Sequence, residues 1–411
     1  MTTSDDIGAM LTGLLRDSHM TNFEGLPTLV SRYAAAAGVG RARIFLADLQ
    51  EDVLREVTGV GQDAGAGGSS LRIDGTLAGR AYQNMEEVVS PDLRRRWLPV
   101  LDGTERLGVL GFDTDPFGTA APGATEADDG HTTEAMRALA SAVGLLVASK
   151  RASSDSHSRL TRVRLMSVVA EMQWTLMPPR FCADERVKIS AVMEPAYRIA
   201  GDAFDYAVSG DTVHLAIFDA MGHDTAAGLT ASLAMAACRN QRRRDAAVTE
   251  VGEAIEDALT EQFGQEHYAT GVLGELDLNT GMLTWVNRGH LAPVLIRGGR
   301  WAATLECPPS HPMGTGLGLP VTVCQEQLEP GDRVVLYTDG ITEARDSAGE
   351  QFGTERFIDH LVRQHAAHLP VAETLRRLIH AVLDHHSGRL DDDATVLILE
   401  WHGPDVSWSV P

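Results

Sequence analysis

From Val213 to Phe218 the chain reads VHLAIF, an almost unbroken apolar run, too short for a helix and of the residue types of a buried strand. It stops at an acid, Asp219. Small residues and Gly222 follow, and then Asp224-Thr225 opens an Ala/Leu-rich stretch, Ala226 to Cys238, that reads as a helix with Asp224 or Thr225 able to cap its first N–H groups. A carboxylate at a strand end beside a positive helix end suits a hard cation on Asp219 and a phosphate held between cation and helix. Further β-rich runs occur at Val187 to Met193, Tyr206 to Val208, Thr270 to Leu278, Leu283 to Asn287, Pro293 to Ile296, Val321 to Cys324, Val334 to Tyr337 and Thr395 to Leu399. The turn words Ser209-Gly210-Asp211, Asn279-Thr280-Gly281, Gly298-Gly299 and Pro330-Gly331-Asp332 join several of them as hairpins. Helical spacing is confined to roughly Asp224 to Phe263 and Glu355 to His385. The pattern predicts packed antiparallel sheets with helices outside, rather than a wound βαβ fold.

The first part of the chain has a different rhythm. After a short lead-in come a helix over Leu26 to Ala37, strands over Ala42 to Leu49 and Val53 to Val60, and a short run Leu71 to Ile73. A helix over Leu77 to Met85, the pair Val88-Val89 and a strand over Arg106 to Phe112 complete an α+β pattern. An acidic Pro/Gly/Ala-rich loop spans 116 to 130. From Thr132 to Met177 the chain is helix-permissive, broken at Ser153 to Ser156, and Leu165, Val169, Met172 and Leu176 form a short heptad seam. That seam predicts a helix pairing two copies of the chain, or one lying on the next domain. Pro178-Pro179 ends it.

Composition narrows the choices. At 411 residues two domains are expected, and the net charge of -22 argues against a nucleic-acid surface and against anionic lipid. Cys182, Cys238, Cys307 and Cys324 form no CxxC pair, so neither a zinc knuckle nor a disulfide scaffold is indicated. The most apolar run, Ala138 to Ser149, would span about 18 Å as a helix, short of the roughly 30 Å bilayer core. With no basic leader in MTTSDDIGAM, a cytoplasmic protein is the expectation.

The acids carry the chemistry. Asp202 and Asp205 lie in IAGDAFDY, Asp219 in FDAMGHD, Asp339 in VVLYTDGITEA, and Asp391, Asp392 and Asp393 in RLDDDATVLIL. Each word sits at the end of a β run, so a fold can gather the tips at one edge. Clustered carboxylates repel unless cations neutralise them, and an all-oxygen set selects Mg²⁺ or Mn²⁺ over zinc. A two-ion site would support hydrolysis of a phosphoester by a water attacking phosphorus in line.

Two resemblances follow. IDGTLAGRAYQNMEEVV with RLGVLGFDTD resembles a GAF sensor domain, which implies a regulatory module answering a small molecule or a protein. No cysteine precedes Cys182, so a thioether-linked chromophore has no attachment point there, and a fold that only dimerises stays open. The ordered words AGDAFDY, FDAMGHD, NRGHLAPVL, HPMGTGLG, GDRVVLYTDGITEA and DDDATVLIL resemble the SpoIIE/RsbU-type branch of the PPM serine/threonine phosphatases. The resemblance implies an α/β/β/α sandwich with two Mn²⁺ or Mg²⁺ ions. Asp219 would bridge them, the Ala220 carbonyl would add a ligand, Asp339 and Asp392 would supply outer carboxylates with Asp393 the next choice, and Asp202 would ligate or hold a water. Two departures stand out: Ala200-Gly201 replaces Gly-Gly, and Gly222-His223-Asp224 replaces Gly-His-Gly. His223 and His290 are candidate proton donors or structural turn residues, Arg198 and Arg288 candidates to meet the phosphate, and Glu343 a neighbouring acid.

The expected layout is a lead-in (1–19), a GAF-like domain (20–150), a helical linker (151–180), a phosphatase domain (181–403) and a tail (404–411). The expected activity is removal of phosphate from Ser or Thr of a protein, by resemblance an STAS-type anti-sigma factor antagonist, in a homodimer. A binding module that docks a partner without turnover, and a hydrolase of small phosphoesters, remain alternatives.

Overall fold

The computed structural model describes residues 4–113, 126–195, 197–198, 201–386, 390 and 392–404. The predicted loop up to residue 125, Ala200, Asp391 and the tail from 405 lie outside the described residues. The chain separates into two compact units divided between Leu165 and Met166. Among the described residues no helix is long and apolar enough to cross a membrane.

The first unit comprises α1 (Ser4–Ser18), α2 (Leu26–Ala36), β1 (Arg41–Ala47), β2 (Val53–Val57), β3 (Ser70–Arg72), α3 (Leu77–Asn84), β4 (Val88–Val89), β5 (Arg95–Asp102), β6 (Glu105–Asp113), α4 (Glu126–Arg151) and α5 (Asp155–Thr161). One antiparallel sheet runs in the order β3-β2-β1-β6-β5-β4. One core gathers Met10 and Leu14 of α1 with residues of α2, α4 and the sheet, while Tyr82 of α3 packs with Phe45, Trp97 and Val109 in a second. The expected lead-in carries α1, whose apolar positions recur at helical spacing and find a partner in the first of these cores.

The expected linker 151–180 is divided between the units. Leu160 of α5 is buried in the first core, whereas α6 (Val168–Leu176) buries Val169 and Ala170 in the second unit. The heptad seam is corrected accordingly. Leu165 precedes the helix, which starts only after Ser167 caps it by accepting from the N–H of Ala170.

The second unit continues with β7 (Phe181–Ala183), β8 (Val187–Glu194), β9 (Asp202–Ser209), β10 (Thr212–Ala220), α7 (Thr225–Arg242), α8 (Val248–Phe263), β11 (Ala269–Asp277), β12 (Met282–Arg288), β13 (Val294–Arg297), β14 (Trp301–Thr304), β15 (Val323–Gln327), β16 (Arg333–Tyr337), α9 (Asp339–Thr342), α10 (Thr354–Ala366), α11 (Val371–His385) and β17 (Ala394–Trp401). Two antiparallel sheets, β15-β12-β11-β10-β9 and β14-β13-β16-β17-β8-β7, form an α/β/β/α sandwich with α7 and α8 on the first and α10 and α11 on the second. The continuous apolar run of β17 follows from this. Leu397, Leu399 and Trp401 belong to the core between the sheets, and Val396 and Ile398 to the core under α10 and α11, so both faces of one strand are dry. Cys307 and Cys324 form a disulfide, a single link that the spacing of the cysteines did not suggest.

Candidate active site

The site begins with strand register. Asp219, near the end of β10, lies opposite Asp202 on β9 and Thr270 on β11. From the other sheet, β16 leads through Thr338 to Asp339, the first residue of α9, and β17 starts directly after Asp392 and Asp393. The sheets are tied at this edge by hydroxyls. Thr338 and Thr395 each donate from Oγ1 to Asp202 Oδ2, at 2.7 and 2.6 Å, and the Thr395 N–H donates to Thr338 Oγ1 at 2.9 Å. Asp393 Oδ2 accepts from the Gly201 N–H at 2.7 Å, and the Asp393 N–H donates to Asp392 Oδ1 at 2.9 Å. At Gly340 a Cβ would run into the Asp393 backbone carbonyl, so the turn into α9 can press against the Asp393 strand only with glycine there.

Burying and gathering these acids raises the proton affinity of Asp202, Asp219 and Asp339. Burial first, and then Asp339, Asp392 and Asp393, push the Asp219 carboxyl up to about 7. Burial, Asp392 and Glu343 raise Asp339. Asp202 is raised well above the usual carboxylate range by burial and by Asp219 and Asp393, against the opposing hydrogen bonds from Thr395 and Thr338. The sequence-predicted acids 202, 219, 339, 392 and 393 are thus brought together, with Ala220 buried at the end of β10.

The donor set is all oxygen and dominated by carboxylates, which fits a hard divalent cation. Among the described residues no three such side chains are drawn tightly enough to enclose an ion as they stand. Asp202, Asp392 and Asp393 already give one carboxylate oxygen each to protein donors, and of the three only Asp392 is exposed.

Other candidates are placed differently. Arg288 is 1% exposed and held by the His311 carbonyl (3.0 Å) and Glu256 (3.3 Å), so it is not available to a phosphate. Arg198 and His223 are exposed, and Glu343 lies just after α9. Both ring nitrogens of His290 are engaged, one with Thr270 Oγ1 and one with the Tyr337 carbonyl. The N-terminus of α7 also differs from expectation. Asp224 Oδ1 accepts from the Ala226 and Ala227 N–H groups at 2.9 and 3.0 Å, so the helix end predicted to meet a phosphate already holds a carboxylate. Residue-by-residue reading missed Thr338, Thr395, Thr270 and Glu256. The two threonines stand beside the acidic words, in YTDG and DDDAT, where a small hydroxyl at a strand end was the available signal.

Residues 209–402 match the sequence profile of the family described as Stage II sporulation protein E (SpoIIE). The second unit carries a SpoIIE-type PPM phosphatase domain. The chain is 25% identical over 259 residues to Protein IcfG of Synechocystis sp., covering 55% of this chain and 40% of IcfG. It is 21% identical over 238 residues to Phosphoserine phosphatase RsbU of Bacillus subtilis, covering 57% of this chain and 69% of RsbU. It spans well under half the length of IcfG. A crystal structure of RsbU and RsbW domains from Mycobacterium tuberculosis is similar at 27% identity and a TM-score of 0.47, over 54% of this chain and 62% of that one. Similar solved structures also include RsbX in complex with magnesium (14% identity, TM-score 0.41, 54% and 98% covered). The catalytic domain of PstP in complex with 2 manganese ions is another (18% identity, TM-score 0.39, 52% and 98% covered).

Proposed function

We propose that the SpoIIE-type domain is a metal-dependent phosphatase of phosphoserine or phosphothreonine in a protein regulator, of STAS type by resemblance, and that the first unit is its GAF-like input. The observation that carries the reading is the convergence of Asp219, Asp339 and Asp392 from three separate strand ends, with burial and the neighbouring acids raising the proton affinity of Asp219 and Asp339. Two Mn²⁺ or Mg²⁺ ions would be held by Asp219 between them, by the Ala220 carbonyl, and by Asp339 and Asp392 on the outside. Bound there, such ions supply a nucleophilic water at neutral pH and take up charge on the phosphoryl oxygens. The rest is done by the chain. Asp202, gripped by Thr338 and Thr395, fixes the distance between the sheets at the site, and Asp393 fixes the backbone at Gly201 behind it. On this reading Asp392 is the outer ligand and Asp393 its support.

The input reading is supported by a cavity of about 960 Å³ in the first unit, lined by apolar Leu71, Leu77 and Trp97 and polar Thr76, Ser90 and Arg94 among others. The reading includes homodimerisation, supported by the apolar side chains of Leu165 and Val168, which are 97% and 86% exposed.

The test is phosphate release from p-nitrophenyl phosphate and from a phosphoserine protein, with Mn²⁺ and with EDTA. Asp219→Ala is expected to lose at least about 100-fold in kcat, in line with removal of a group that stabilises transition-state charge. Equal Mn²⁺-dependent release by wild type and Asp219→Ala would sink the reading. Tight Mn²⁺ binding without release from any phosphoprotein would assign the domain to docking instead.

A further inference from the structure

We infer that His290 is a positioning residue, a neutral strut that joins the two sheets and sets the spacing of the strand ends bearing Asp219 and Asp339. The inference rests on the metal-phosphatase reading for its consequence, but its geometry stands alone. His290 Nε2 lies 3.0 Å from the Tyr337 carbonyl oxygen. A carbonyl only accepts, so Nε2 carries the proton. Nδ1 is then a bare acceptor, and Thr270 Oγ1, 2.8 Å away, donates to it. The single Thr270 hydroxyl proton is thereby used, which leaves the 3.5 Å approach of that hydroxyl to the Asp219 carbonyl a secondary contact.

Each contact is one step from an acid. Thr270 is the register partner of Asp219 in the first sheet, and Tyr337 ends β16 two residues before Asp339 in the second. One imidazole therefore spans sheet to sheet beneath the site.

Its own backbone is held fast. The Asn287 side chain donates to the His290 carbonyl at 2.9 Å and accepts from the His290 N–H at 2.8 Å. Gly289, at φ +71°, makes the turn between them with Pro312 packed on it. Burial pushes the imidazole down to about 4, so the strut keeps one charge state through neutral pH. A ring with both nitrogens occupied has no nitrogen to offer a leaving group, which separates this role from the proton donor that His290 was a candidate to be.

The experiment compares full-length wild type with His290→Phe, His290→Gln and Thr270→Val. In metal-free wild type, ¹⁵N-histidine spectra are expected to show a protonated Nε2 and a bare Nδ1, unchanged between about pH 6 and pH 8. Calorimetric Mn²⁺ titration is expected to weaken about tenfold or more for His290→Phe and several-fold for Thr270→Val, while His290→Gln, which keeps a donor and an acceptor, recovers most of it. At saturating Mn²⁺ the pH profile of p-nitrophenyl phosphate hydrolysis keeps its shape.

An imidazole titrating near its ordinary value of about 6.5, or unaltered Mn²⁺ affinity in both His290→Phe and Thr270→Val, overturns the strut. Loss of one limb of the pH profile in His290→Phe at saturating Mn²⁺ also overturns it, in favour of a proton donor. Should His290→Phe not fold, Thr270→Val decides, since it removes one hydroxyl only. A wild type that binds no Mn²⁺ ends the phosphatase reading, and the ¹⁵N tautomer then settles the strut separately.

Discussion

At Asp219 the fold asks for a proton or a cation. Its carboxyl, with a proton affinity raised to about 7 against about 3.9 in an unfolded chain, binds more protons folded than unfolded between those values. The sign follows directly: this contribution favours the folded state fully below pH 4 and is lost as pH rises through 7. Metal-free protein in EDTA is therefore expected to melt at a higher temperature at pH 5.5 than at pH 7.5. Mn²⁺ should reverse the order, and Asp219→Asn should flatten it; differential scanning fluorimetry reads all three. A metal-free melting temperature that rises from pH 5.5 to 7.5 would contradict the clustered-acid account. Asp224 offers a second test. Asparagine keeps the cap on the α7 N–H groups but removes a negative charge at the helix end predicted to meet phosphate. Asp224→Asn is expected to lower the KM for p-nitrophenyl phosphate several-fold at a stability cost of about 1 kcal/mol or less; an unchanged KM would place the phosphate elsewhere.

The same scale shows what was legible. Asp219 and Asp339 could be found because each ends an apolar run and precedes a small residue, and Asp392 because it lies in the acidic cluster just before the apolar run Ala394 to Leu399. Asp202 and Asp205 were not separable in IAGDAFDY until the strand was known to start at Asp202. An odd spacing of three then puts them on opposite faces. One meets Thr338 and Thr395 of the facing sheet, and the other meets Arg239 and Arg242 of α7.

At the scale of elements, that second contact fastens α7 to β9. Asp205 is 1% exposed and receives Arg239 Nη2 at 2.6 Å and Arg242 Nη1 at 2.6 Å. Asp205→Ala leaves two guanidinium groups without their carboxylate and is expected to cost about 3–5 kcal/mol, read as a lower urea midpoint with unchanged slope. A cost under about 1 kcal/mol would mean that α7 is held by its apolar face alone. The hairpins were readable from their turns, with Ser209-Gly210-Asp211 joining β9 to β10 and Asn279-Thr280-Gly281 joining β11 to β12. The strand β5 was not. Its sequence RRWLPVLD lacks alternation and contains a proline, tolerated because β4 pairs only with Arg96 and Trp97 and leaves the rest of that edge open. Each long helical stretch proved to be two helices, broken at 243–247 and before Val371, where Pro370 stands.

For the whole molecule the sequence pattern announced two bodies joined by a linker over 151–180, and the division between Leu165 and Met166 falls inside that linker, ahead of Pro178-Pro179. The position of the division has a functional edge. Gln173 of α6, fully buried, donates from Nε2 to the Asp202 backbone carbonyl at 3.0 Å, and α6 packs on α7. The first helix after the seam thus touches the strand carrying a site acid. A fragment starting at Phe181 loses that helix and exposes the surface it covered; one starting at Met166 keeps both. The 166–411 fragment is expected to fold cooperatively, to bind Mn²⁺ as the full chain does, and to run as a monomer by light scattering if dimerisation needs the first unit. The 181–411 fragment is expected to melt lower and to bind Mn²⁺ more weakly, since the Asp202 carbonyl is then a buried acceptor without its donor. Gln173→Leu in the full chain separates the causes, for it keeps the packing and removes only the hydrogen bond. If Gln173→Leu and the 181–411 fragment both match wild type in Mn²⁺ affinity, α6 is a passive connector, and the proposed input from the first unit would need another route to the acids.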